Sequence, residues 1–172
     1  VFTPFYRKGC LAEENLPREP FIFENNIEYD DIKSDLSISD LNLLPSRNWY
    51  DSINIEWNPG EQGAEKRLNE FIKEGLGNYK NGRNRPDQEF VSMLSPHLHW
   101  GEISPHHLWK TINQVKKDKA NEKSIDHFLS ELGWREFSYY LLYHLKKDLI
   151  GYLLHHAYLL HLQVMIHLFL VL

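Results

Sequence analysis

A chain of 172 residues that is 42% hydrophobic, 13% aromatic and 25% charged has a globular composition and the length of one ordinary domain. Its formal net charge of −5 excludes a polybasic nucleic-acid binder, so any basic face must be argued residue by residue. Cys10 is the one cysteine, which excludes an internal disulfide and makes an intracellular, cytoplasmic setting the default.

The chain opens on VFTPFYRKGC, which has no initiating Met and lacks the charged start and apolar run of a signal peptide. It reads as part of a longer protein. Residues 1–50 are acidic and turn-rich, with Pro17, Pro20 and Pro45, and predict an extended surface linker. The alternative for FIF at 21–23 is a short strand of a domain that is otherwise missing.

From Trp57 the texture changes. Ala64, Leu68, Phe71 and Ile72 share a helical face, with an acid in the first turn and Gly75 as a stop. A loop over 77–90 follows. Ser95-Pro96 and Ser104-Pro105 each place a capping hydroxyl before a proline suited to the first helical position. The second opens a helix with an apolar stripe of Leu108, Trp109, Ile112 and Val115. Lys116, Lys117 and Lys119 load its C-terminal end.

A long helix is predicted over about 124–145, started by Ser124. Ile125, Phe128, Leu129, Leu132, Tyr139 and Tyr143 form one broad face, and Phe137, Leu141 and Leu142 lie outside it. A helix apolar nearly all round is buried on most sides. Glu131, Trp134 and Arg135 then make a polar stripe in a crowded place, with Ser138 one turn on. No strand alternation follows residue 57, so the fold class is all-α.

The last stretch, from Ile150 to the end, has no Asp, Glu, Lys or Arg. It is long enough for a bilayer-spanning helix, which needs about 20 apolar residues. Four histidines and a glutamine argue against a span, because polar groups are costly in hydrocarbon. A truncated or out-of-frame end is the preferred explanation, an apolar docking helix the second and a membrane span the third.

No phosphate loop, glycine fingerprint or cysteine-based metal spacing is present. His97, His99, His106 and His107 fit no standard zinc pattern, and solvated or capping histidines are the simpler reading, as they are for His155, His156, His161 and His167. Backbone N–H groups at the Ser-Pro start near 95, with the Ser92 and Ser95 hydroxyls, could hold a phosphate, and plain N-capping explains the same residues. Trp134 beside Arg135 could stack on a base and grip a phosphate. A core tryptophan beside a Glu–Arg helix pair explains them equally well.

The runs WNPGEQGAEKRLNEF, NYKNGR, VSMLSPHLHWGEISPHHLW and FLSELGWREFSYYLLYH, in this order, resemble the photolyase/cryptochrome family. Within the family the resemblance is to bacterial photolyases that repair cyclobutane pyrimidine dimers, and it covers about residues 1–145. The resemblance implies an end of an α/β antenna domain and an interdomain linker over 1–55. It implies an incomplete N-terminal part of the helical FAD-binding domain over 56–145, and it leaves 146–172 as an atypical tail. It also implies light-driven dimer repair, in which excited reduced FAD lends an electron to the lesion.

By that resemblance Tyr79, Val91, Ser92, Met93, Leu94, Ser95 and Phe128 face FAD. Val91 stands where the family usually has Thr, and Phe128 where many members have Trp. Arg83, Glu131, Trp134, Arg135 and Ser138 face ultraviolet-damaged DNA, with Glu131 and Trp134 in the catalytic role against a flipped dimer. An antenna pigment of folate or deazaflavin type would belong to the missing domain. No metal is implied, and a monomer is expected. The chain as given is expected to bind FAD weakly or not at all and not to repair DNA. The alternatives are a cryptochrome-like flavin photoreceptor, or a cofactor-free helical interaction module with a membrane-associated tail.

Overall fold

A computed structural model describes residues 1–18, 35–52, 57–116 and 121–144. The described residues are helical, with no strand among them. The tail over 146–172, Lys117, Lys119 and the 21–23 run lie outside them.

The expected amphipathic helix is present as α2, Glu61–Glu70, which widens into a π turn over Phe71–Gly75. Ala64, Leu68 and Phe71 are buried at spacings of four and three, as one face of a 3.6-residue helix requires. Gly63 is needed for a local reason: an added Cβ would sit 1.6 Å from the Asn58 carbonyl oxygen. The incoming chain therefore runs tight against the first turn.

Residues 77–90 are not wholly loop. A 3-10 turn, Leu76–Asn78, leads into the short helix α3, Tyr79–Gly82. Leu76 and Tyr79 anchor it because both are buried in the core. Two further helices follow, α4 over Ser95–Trp100 and α5 over Pro105–Val115.

The two Ser-Pro pairs behave differently. Ser104 is extended and caps α5, its side chain accepting from the His106 N–H at 3.2 Å. Ser95 is already the first helical residue of α4, behind a helical Leu94, and that end has no side-chain cap. On α5, Leu108 and Ile112 are buried, with Trp109 and Val115 packed at the margin of the core.

The last described helix, α6, runs over 122–144. Ser124 lies inside it and does not start it; its hydroxyl donates to the Gly77 carbonyl at 2.9 Å, tying α6 to the turn before α3. Ile125, Phe128, Leu129 and Leu132 are buried as expected. Tyr139, Leu142 and Tyr143 are exposed, so α6 is sealed only along its first half. Along its second half the described contacts come from the start of the chain, through Phe2 and Phe5.

The start of the chain departs from the linker expected there. Residues 2–10 are helical: α1, Phe2–Pro4, continues as a wider turn over Phe5–Cys10. Phe2, Phe5 and Tyr6 project onto α6 and α5. Tyr6 fits only because residue 133 is glycine, where an added Cβ would lie 2.3 Å from its ring. Phe5 meets Phe137 and Tyr140 with centroids 5.1 Å apart in both cases.

Candidate functional site

Glu131 and Arg83 meet across the seam between α6 and the end of α3. Arg83 follows Gly82, and its N–H donates to the Tyr79 carbonyl at 2.9 Å, which fixes the base of its side chain. Its Nη1 donates to Glu131 Oε1 and lies 2.9 Å from His127 Nε2. Side-chain exposures are 9% for Arg83 and 6% for Glu131, so this ion pair is screened little by solvent. The guanidinium also sits 5.7 Å from the centroid of the buried Tyr79 ring. Burial pushes the Tyr79 phenol above its ordinary range; Arg83 opposes that rise and Glu131 reinforces it.

One turn further along α6, Trp134 stacks on Phe2, with ring centroids 3.7 Å apart and planes 9° apart. Phe137 meets the indole edge-on at 5.8 Å. Trp134 keeps 40% of its surface exposed. Arg135 turns away: its Nη1 reaches Glu136 Oε1 at 2.5 Å and its guanidinium lies 4.8 Å over the Tyr139 ring. Ser138 donates to the Trp134 carbonyl at 2.9 Å. The stripe expected as a single polar slot is therefore divided among three partners. Glu131 goes to Arg83, Trp134 to Phe2 and Arg135 to Glu136.

The segment over 91–95 is a tight turn. Met93 takes a left-handed conformation, φ 56°, and is exposed. The Ser92 hydroxyl is buried and accepts from the Leu94 N–H at 3.2 Å. Leu94 is buried, Val91 is half-buried and Ser95 lies at the edge of burial. Phe128 is wedged between Phe71 and Tyr79 at centroid distances of 4.9 and 5.2 Å. Tyr79, Ser92, Leu94 and Phe128 are thus fully buried. Of the seven residues expected at the cofactor, Val91 and Met93 keep the most exposed surface.

A cavity of about 520 Å³ lies elsewhere, between the Phe5–Cys10 turn, α5 and α6, against Phe5, Trp109, Leu132, Glu136 and Tyr140. None of the expected site residues lines it. Among the described residues no three His, Cys, Asp or Glu side chains converge. His97 contacts Glu102 at 2.6 Å and His107 contacts Glu65 at 2.7 Å, each as a pair. Sequence reasoning missed two contributors, Phe2 and His127. The i, i+3, i+4 spacing of Phe2, Phe5 and Tyr6 could have found the first, and the i, i+4 spacing of His127 and Glu131 the second.

No protein-family model matches the chain. It is 36% identical over 147 residues to a deoxyribodipyrimidine photo-lyase of Agrobacterium fabrum, covering 84% of this chain and 30% of that protein. It is also 36% identical over 172 residues to cryptochrome-1 of Arabidopsis thaliana, covering 89% of this chain and 24% of that protein. Its fold superimposes on the crystal structure of a bacterial class III photolyase from Agrobacterium tumefaciens. The TM-score is 0.73 at 34% identity, over 84% of this chain and 30% of the other. The chain thus spans under a third of the length of these relatives.

Proposed function

This chain belongs to the photolyase/cryptochrome family, and on that premise we propose that it is part of a light-driven enzyme that splits cyclobutane pyrimidine dimers in DNA. Residues 56–145 contribute to the helical domain that binds FAD and DNA, and residues 1–55 to the end of an antenna domain and the linker after it. FAD held in part by residues of 56–145 would supply the light-driven electron chemistry that splits the dimer. An antenna pigment would be held by the antenna domain.

The observation that carries this reading is the identity to the Agrobacterium fabrum photo-lyase over 84% of the chain. The site residues are compatible with it. Trp134 is backed by Phe2 on one ring face and remains part-exposed, the arrangement that a stacked base requires. Glu131 is the acceptor for the bases of the flipped dimer and steadies its added negative charge. Arg83, Arg135 and Ser138 meet the DNA strand. Because Arg83 and Glu131 already hold each other, a nucleotide entering here must share or displace that pair.

A second reading, a cryptochrome-like flavin photoreceptor, is favoured by the equal identity to cryptochrome-1. Two measurements on the purified protein separate the readings: flavin absorbance, and loss of dimers under blue light with binding to damaged and intact DNA compared. Repair with a preference for damaged DNA supports the enzyme. Bound flavin without repair or preference supports the photoreceptor. The 172-residue chain alone is expected to hold little flavin and to leave dimers intact. Dimer loss by this chain would overturn that expectation. Among the described residues no helix is long and apolar enough to cross a membrane.

A further inference from the structure

We propose that neutral His127 is a positioning residue that holds the Arg83 guanidinium on Glu131 and releases it when protonated. Its Nε2 lies 2.9 Å from Arg83 Nη1 and 3.9 Å from Glu131 Oε1. A guanidinium has no acceptor, so the contact exists only if Nε2 carries a lone pair and the ring proton sits on Nδ1. The geometry therefore selects one tautomer of the neutral ring. Of the three groups in the cluster, His127 has by far the most solvent contact, 37% of its side chain, and is where a proton can arrive.

Adding that proton converts an acceptor into a donor. The bond to Arg83 is lost, and two cations face each other across what was a hydrogen bond. The new N–H points into the field of the Glu131 carboxylate and competes for it. The groups facing the imidazole are Arg83 and Lys80 from α3 and its end, Glu131 from α6 and the neutral Tyr79 ring at 6.1 Å. Burial lowers the imidazole below its ordinary range, Arg83 lowers it further, Glu131 opposes them and Lys80 adds to the lowering. Near neutral pH the holding form dominates, and acid opens it.

The inference rests on the function proposed above for what the released Arg83 meets, an anionic DNA strand. It is tested without DNA. Long-range proton–nitrogen spectra of the full chain report the tautomer and midpoint of each histidine, and the His127 signal is assigned by its loss in His127→Gln. The expected result is the Nδ1–H form, with a midpoint below that of a free histidine. Arg83→Met should raise that midpoint by about one pH unit, and Glu131→Gln should lower it further. The tautomer in the unsubstituted chain decides the matter even if both variants unfold. An Nε2–H form there, or a midpoint indifferent to Arg83→Met in a folded variant, overturns the proposal. Failure to prefer damaged DNA would count against the proposed function alone, since the imidazole readout involves no ligand.

Discussion

Phe2 lies flat on Trp134, the planes 9° apart and the centroids 3.7 Å apart, so residues 132 positions apart in the chain form one stacked unit. The indole is fixed from behind by the first helix, and its orientation depends on a segment that contributes nothing else to the Glu131–Arg83 pair.

Removing the Phe2 ring should free the indole. Phe2→Ala is expected to cost about 2 kcal/mol, from lost apolar contact and lost stacking. It should also shift tryptophan emission to the red, and Phe2→Tyr should restore both. Urea unfolding followed by fluorescence measures both effects. A midpoint and emission equal to those of the unsubstituted chain would show that the stack is not formed in solution.

The Glu131–Arg83 pair should be costly to break from one side only. Glu131→Gln or Arg83→Met leaves one buried group without its counter-charge, and each is expected to destabilise by about 3–5 kcal/mol. Replacing both by apolar residues should cost clearly less than the two single changes added together. A double-mutant cycle from chemical denaturation gives the coupling. Strict additivity would mean that the two side chains do not meet.

Alkaline pH should loosen the fold through its tyrosines. Burial pushes Tyr6 up to about 12, with Asp126 and Cys10 adding to the rise, and Tyr79 is raised as well. Both phenols ionise near 10 in an unfolded chain. Above that pH the unfolded state gives up protons that the folded state keeps. Stability is therefore whole below about 10 and falls as pH climbs towards the folded values. Tyrosinate absorbance should show at least two late-titrating phenols, both normalised by denaturant. If every phenol titrates near the free value in the native chain, neither ring is buried as described.

The two Ser-Pro dipeptides should differ under substitution. Ser104→Ala removes a cap and is expected to cost about 1 kcal/mol, whereas Ser95→Ala removes none. Thermal unfolding of the two variants compares them directly. An unchanged midpoint for Ser104→Ala would mean that Ser104 does not cap α5.

That contrast shows where sequence reading stops. The dipeptides are identical, and what separates them is the backbone before each proline. Ser104 is extended at ψ 134°, while Leu94 has already entered a helical turn ahead of Ser95. The helices with clean three-and-four spacing, such as Ala64, Leu68 and Phe71 or Leu108 and Ile112, are legible because one face is buried throughout. On α6 the same logic overreached: Tyr139 and Tyr143 continue the apolar pattern, yet both are exposed. The pairing of Glu131 with Arg83 joins residues 48 apart, and no local pattern encodes it. The helix over 2–10 was hidden by the acidic, proline-rich stretch behind it, although its aromatic spacing was in plain view.

The missing side chain at Gly133 leaves a notch in α6 into which Tyr6 drops. An expression version that starts after Cys10 would open that notch to water together with the rings of Trp134 and Phe137. Trimming the first ten residues as a dispensable leader would thus leave a sticky strip on the longest of the described helices.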